Sequence, residues 1–237
     1  MKTLLAVVAL MTSACAHAHG GMVDLSVCDR TEGRRLPVYW HEGRAYIAGK
    51  PGNEYQVTLR SRQAQDVLAV VSVDGVNVIT GETAHPSQSG YVLSPRGGVD
   101  VLGWRKSLSQ TAAFYFTTLP DSYAARTGRP EDVGVIGVAL FRRKAQPPQP
   151  LSQMGPPAAA RAESSADARM GTGHGRQEYS PATHVTFERA TSSPAEVITL
   201  YYDSHANLLA RGIIRDPVQV APLPRPRPFP GFAPDPA

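Results

Sequence analysis

The sequence predicts an all-β protein, an antiparallel β-sandwich of immunoglobulin-like or small-barrel type. Short runs of alternating apolar and polar residues are typical of half-buried strands. These runs recur at spacings of about ten residues, separated by Gly, Pro, Asn and Ser, as in sandwiches and barrels. Asp74-Gly75 between two apolar runs adds a strong tight-turn signal.

The predicted strands of the main domain, residues 23–144, follow one another in short segments. In residues 54–61, Tyr55, Val57 and Leu59 fall on one face of a strand. Residues 121–126 are compatible with one helical turn or a long loop. The predicted strands are 36–40, 44–47, 54–61, 67–73, 76–79, 91–93, 99–104, 112–117 and 134–142.

The composition changes after this domain. Residues 145–170 are rich in Pro and Ala and bury too little apolar surface to fold, which predicts a flexible linker. Residues 171–215 predict a C-terminal β-hairpin unit that is too small for its own core and docks on the sandwich. Its strands are placed at 184–189, 197–202 and 208–214, with a turn at 203–207. Residues 216–237 contain eight prolines and predict a disordered, extended tail.

The N-terminus has the layout of a secretory signal peptide, residues 1–18. Lys2 precedes an apolar run at 4–11, which is too short to span a membrane. The segment Thr12–Cys15 favours a lipoprotein-type signal with lipid on Cys15, although Thr12 stands where such signals prefer Leu. Ala16-His17-Ala18 also fits ordinary cleavage, and the choice stays open. Either form predicts export, as an outer-membrane lipoprotein or a periplasmic protein of a Gram-negative bacterium. Acyl chains on Cys15 would hold the protein on the membrane.

Composition also excludes some classes of partner and structure. The chain has 237 residues and a formal net charge of +4, which is too small and too dispersed to predict nucleic-acid binding. The apolar segments beyond the N-terminus are too short to span a membrane. Cys28 is the second of two cysteines, so the fold cannot depend on a disulfide if Cys15 is lipidated or removed.

The candidate binding residues are aromatic side chains and one histidine. Trp40, and Trp104 with Arg105, are suited to stacking in a sugar or peptide groove, although strand alternation places about half of such residues in the core. His174 lies within Gly171-Thr172-Gly173-His174-Gly175. This run predicts a structural turn, with a small anion-binding nest as the functional alternative.

The sequence predicts no catalytic residue, metal or cofactor. The seven histidines lack metal-site spacing, and the serines lie outside recognised nucleophile motifs. The oxygens of residues 74–77 could bind calcium, but a tight turn requires the same residues, so Asp74→Asn is expected to be nearly silent. The predicted function is binding or scaffolding, with an envelope protein, carbohydrate or peptide as partner. The alternative is an envelope hydrolase or metal-handling protein centred on His174, with Ser122 as one possible neighbour.

Several segments resemble an uncharacterised group of exported proteobacterial proteins. The resemblance covers roughly residues 55–214 and implies export and a shared architecture, with no assigned activity, cofactor or catalytic residues. It is carried by residues 72–82, 87–93, 103–107, 112–117, 171–175, 187–190 and 201–204.

Overall fold

Two β-sheets pack face to face in the computed structural model, which describes residues 18–19, 21–145 and 170–215. The predicted all-β sandwich is confirmed, and the sheets do not close into a barrel. The residues left undescribed include Cys15 and nearly all of the predicted signal peptide, linker and tail. Predictions for those segments therefore lie outside the described residues.

The described residues form fifteen strands and two short helices. They are β1 (Ala18–His19), β2 (Val23–Asp29), β3 (Arg34–Arg35), β4 (Val38–His41), β5 (Arg44–Gly49), β6 (Glu54–Ser61), β7 (Val67–Val73), β8 (Val76–Asn77), β9 (Tyr91–Leu93), β10 (Gly98–Val101), β11 (Gly103–Arg105), β12 (Gln110–Thr118), α1 (Tyr123–Arg126), β13 (Val135–Arg142), β14 (Met170–Tyr179), β15 (Glu196–Ser204) and α2 (His205–Ala210).

The first sheet has the order β1-β2-β6-β12-β11, with β3 along β2, β10 along β6 and β14 along β12. The second sheet has the order β4-β5-β15-β13-β7-β8, with β9 along β7. Among the described pairs, β5 and β15 are parallel and all others are antiparallel.

One continuous core fills the space between the sheets. Tyr55 and Phe116 of the first sheet are fully buried, as are Ile136 and Leu200 of the second. Full burial of a large apolar side chain stabilises a fold by about 1.5–3 kcal/mol. The core therefore holds the sheets together without a disulfide, and Cys28 is a free thiol.

The turn at Asp74-Gly75 joins β7 to β8 as the sequence predicts. Asp74 has φ 52° and Gly75 has φ 69°, and Val73 pairs with Val76 across the turn. Two consecutive residues with positive φ form a type I′ turn, whose backbone twist matches that of a β-hairpin.

The C-terminal unit predicted to dock on the sandwich is part of it, but its strands do not pair with each other as a hairpin. β14 lies along β12 in the first sheet, while β15 lies between β5 and β13 in the second. Residues 184–189 form no strand, and Phe187 packs instead against the outer face of the second sheet. The apolar residues of this region therefore complete both sheets instead of pairing with one another.

The predicted turn at 203–207 and returning strand at 208–214 are also wrong. β15 continues to Ser204, whose Oγ accepts a hydrogen bond from the backbone N–H of Asn207 and caps α2. Leu208 and Ile213 then pack against Tyr46 on the outer face of the second sheet. Helix capping and this apolar contact outweigh the hairpin pattern.

Candidate functional site

The glycine-rich run 171–175 is part of strand β14, so the predicted structural turn and anion-binding nest are both wrong. A Cβ on Gly173 would lie 2.1 Å from the ring of Tyr115, which crosses the outer face of the sheet there. Glycine is needed because the ring lies so close to the backbone. Thr172 and His174 alternate with the glycines and therefore point to the inner face, opposite Phe116 and Phe114.

Thr172 belongs to a fully buried polar cluster that links the two sheets, which we call the hub. The hub consists of Tyr55 and Thr172 from the first sheet and Asp74 and Tyr202 from the second, all at most 3% exposed. The hydroxyl of Thr172 lies 2.5 Å from that of Tyr55 and 2.7 Å from that of Tyr202. The hub therefore joins the sheets by hydrogen bonds inside an apolar core.

Asp74 is the final acceptor of the hub. Its Oδ1 accepts hydrogen bonds from Tyr202 Oη at 2.5 Å and Gly134 N at 2.9 Å, and its Oδ2 accepts one from Thr172 N at 2.7 Å. Because Tyr202 donates its one proton to Asp74, Thr172 donates to Tyr202 and Tyr55 donates to Thr172. The hydroxyls thus form one directed chain that ends on the carboxylate.

Burial sets the protonation of the hub. Burial raises the pKa of Asp74 to about 6, against the opposing effect of its hydrogen bonds. Burial and the nearby charge of Asp74 also raise the pKa of Tyr55 and Tyr202 well above 10. Because every hydroxyl of the hub is hydrogen-bonded within it and its residues are at most 3% exposed, the hub is a structural element and not a ligand site.

His174, two residues along the same strand face, has a different environment. Its ring is half-buried and stacks on Tyr123 of α1, with 5.6 Å between ring centroids. Trp104 lies beneath Tyr123, at 4.6 Å between centroids, and donates its indole N–H to the carbonyl of Gly173 at 3.1 Å. Burial, followed by the positive charge of Lys106, lowers the pKa of His174. The imidazole is held in place yet reaches solvent.

The exposed end of β14 extends this surface. A bulge between Ala112 and Phe114 shifts the register, so Gln177 pairs with the core residue Ala112. Tyr179 pairs with Gln110 on the same face. Gln177 is exposed and Tyr179 is 76% exposed. We call the surface formed by Tyr123, His174, Gln177 and Tyr179 the platform.

The structure brings together three of the four residues that the sequence suggests for binding. Trp104, 3% exposed, supports the platform from below. Arg105 lies beside it and donates to the carbonyl of Ser180 at 2.5 Å and to Tyr91 Oη at 3.2 Å. Trp40 lies elsewhere, on the outermost strand of the second sheet, and is 56% exposed.

Sequence reasoning missed Tyr123, Gln177 and Tyr179 as binding candidates. The sequence places Tyr123 in a helical turn or a long loop, and it places residues 176–179 in no predicted element. The alternation along β14 is interrupted by the bulge, so the pattern does not show that His174, Gln177 and Tyr179 share a face. Only the knowledge that residues 170–179 form one strand with a bulge places these side chains on one face.

A groove of about 380 Å³ lies apart from the platform, where β3, β4 and β5 meet the start of α2. Its basic side chains are Arg34 and Lys50, which both pair with Glu32 at 2.7 and 2.9 Å. These hydrogen bonds lower the pKa of Glu32. The cations of the groove therefore already have partners within the protein.

The alternative of a hydrolase or metal site at His174 gains no support from the geometry. The hydroxyl of Ser122 donates to the carbonyl of Leu119 at 2.7 Å and accepts from the backbone N–H of Ala125, so it caps α1. Among the described residues, no group of three or more His, Cys, Asp or Glu side chains is placed to hold a metal ion.

No protein-family model, curated protein or solved structure matches this chain. Within the residues that the structure describes, no helix has the length and apolar character that a membrane crossing requires.

Proposed function

We propose that this protein is a non-catalytic binding module of the bacterial cell envelope that holds a glycan on the platform. The observation that carries the proposal is the accessible aromatic and amide surface along β14 and α1. Tyr179 is largely solvent-exposed, the half-buried Tyr123 ring packs on Trp104, and the half-buried His174 ring stacks on Tyr123.

The chemistry of the platform favours a glycan over a protein partner. Tyrosine rings offer apolar faces for stacking, with a polar edge that hydrogen-bonds. The Gln177 amide supplies two donors and an acceptor beside them. Among the described exposed large apolar side chains, Tyr179 belongs to the platform and Leu108 lies in the adjoining loop, whereas a stable protein interface needs a larger apolar centre.

The test is binding of the purified full chain to a panel of defined envelope oligosaccharides, measured by calorimetry. Tyr179→Ala should weaken binding at least tenfold, because the exposed ring is the main stacking surface. Trp40→Ala is the matched control, since it removes an exposed aromatic from the other sheet and should leave affinity unchanged. Equal loss in both variants, or no binding at all, would refute the platform as the site.

Export and lipidation form the second part of the proposal. The support is the signal-like N-terminus with Cys15 after a short apolar run. Cys15→Ser should abolish acyl labelling and move the protein from the membrane fraction to the soluble periplasmic fraction. An unmodified mature chain that begins at His17 or His19 would refute lipidation and leave ordinary cleavage in its place.

A further inference from the structure

Two cationic residues, Lys106 and Arg126, belong to the elements that adjoin His174 at one side of the platform. Lys106 directly follows β11, which pairs with β12, and β12 in turn pairs with the part of β14 that carries His174. Arg126 is three residues after Tyr123 on α1 and therefore lies on the same side of the helix as the ring stacked on His174. Both cationic side chains are exposed.

The charges acting on His174 are of one sign. After burial, Lys106 and Arg126 are the groups that lower the pKa of His174. The titratable groups around the ring are thus Tyr123, which stacks on it, and Arg126 of α1 and Lys106 at the end of β11, whose charges act on it. Like charges gathered beside partly buried rings repel one another more than they would in open water. An anion bound between them would relieve this repulsion.

Neither cation has an acidic partner in the described part of the chain, whereas Arg30 and Arg176 of the first sheet do. Arg30 binds Glu178 through two hydrogen bonds of 2.7 Å, and Arg176 binds Glu54 through two of 2.8 Å. The described ion pairs include neither Lys106 nor Arg126. Two positive charges beside the platform are therefore not neutralised by a described acidic side chain and can be offered to a ligand.

We infer that Lys106, Arg126 and His174 form an anion-binding site that receives a carboxylate or phosphate group of the platform's ligand. This inference rests on the proposed glycan-binding function and specifies the ligand as an acidic glycan. Lys106 and Arg126 supply permanent charge and N–H donors. His174 donates from its ring and gains a proton more readily when the anion is bound.

The experiment compares a trisaccharide of galacturonic acid with the neutral trisaccharide of galactose, using the full chain at low salt. The acidic trisaccharide should bind at least tenfold more tightly. Lys106→Gln combined with Arg126→Gln should abolish that preference. The control combines Arg34→Gln with Lys50→Gln, which removes the same charge from the groove and should keep the preference. Equal affinity for the two trisaccharides in the native protein would overturn the inference.

The source of the anion is distinguished by the pKa of His174, measured by NMR. If inorganic phosphate alone raises it in the native protein but not in the Lys106/Arg126 variant, the site accepts free anions. A rise with the acidic trisaccharide only means that the anion must be attached to a sugar. If neither probe shifts this pKa, the anion site is refuted. If the trisaccharides bind equally and Tyr179→Ala still abolishes binding, only the anion site fails and the proposed function stands.

Discussion

Thr172 and His174 lie two residues apart on the same face of β14, yet their environments differ in every respect that matters for function. Thr172 is fully buried and its hydroxyl connects Tyr55 to Tyr202. His174 is half-exposed, stacks on Tyr123 and faces cations. The sandwich covers one residue and leaves the other at its rim. A polar side chain that is buried and fully bonded serves the fold, whereas one that is fixed but accessible is available to a ligand.

The largest expected effect comes from removal of the acceptor at the centre of the hub. Asp74→Ala leaves the donors of Tyr202, Thr172 and Gly134 without a partner and places Ala in a left-handed turn position. The free energy of unfolding should fall by about 4 kcal/mol. Chemical denaturation of native and variant chains measures this, and a loss below about 1 kcal/mol would show that the hub contributes little.

The contribution of the hub to stability should also depend on pH, through Asp74. Folding raises the pKa of Asp74 from 3.8 to about 6, so the folded state holds this proton more tightly. The stability that results is fully present below about pH 4 and is lost as the pH rises through about 6, by up to about 3 kcal/mol. The difference in unfolding free energy between the native chain and Asp74→Asn should therefore shrink from pH 4 to pH 7. A difference that grows over this range would contradict the raised pKa.

At neutral pH, Asp74→Asn should still cost about 1–2 kcal/mol. The amide relieves the burial of a charge, but its NH₂ group replaces an acceptor that faces backbone donors. We expect the loss of this acceptor to cost more free energy than the removal of the buried charge gains. The expectation from sequence that this substitution is nearly silent is therefore revised. A calcium-dependent rise in the Tm of the native chain that Asp74→Asn abolishes would restore the calcium interpretation.

A smaller effect is expected at Gly173, which lies between Thr172 and His174. Gly173→Ala should destabilise the native chain by about 1 kcal/mol, because the new Cβ displaces the ring of Tyr115. In a Tyr115→Ala background the same change should be neutral or slightly stabilising, since alanine restricts the unfolded chain more than glycine does. An equal cost in both backgrounds would mean that the ring is not the reason for glycine there.

The sandwich could be predicted from the sequence because strand alternation and turn residues are local signals. Residues 54–61 and the Asp74-Gly75 turn are found where their patterns place them. The hub could not be predicted, because a turn carboxylate is usually solvent-exposed and its burial depends on where β14 and β15 enter the sheets. The glycine-rich run was assigned to a turn because nothing local reveals the ring of Tyr115 across it.

The candidate site was predictable only in part. Trp104, Arg105 and His174 stand out by residue type, and the structure brings them together around the platform. Trp40 stands out equally and lies on the other sheet. Residue type identifies side chains that can bind, but only the strand order decides which of them meet.

The most direct test compares Thr172→Val with His174→Gln in unfolding and in binding of the galacturonic acid trisaccharide. Thr172→Val should lower the free energy of unfolding by about 2 kcal/mol, because it leaves the buried Tyr55 hydroxyl without its partner. The affinity of the folded protein should be unchanged. His174→Gln should change stability by less than about 0.5 kcal/mol and weaken binding at least fivefold. Weakened binding by folded Thr172→Val, or unchanged affinity in His174→Gln, would contradict the division of roles along β14.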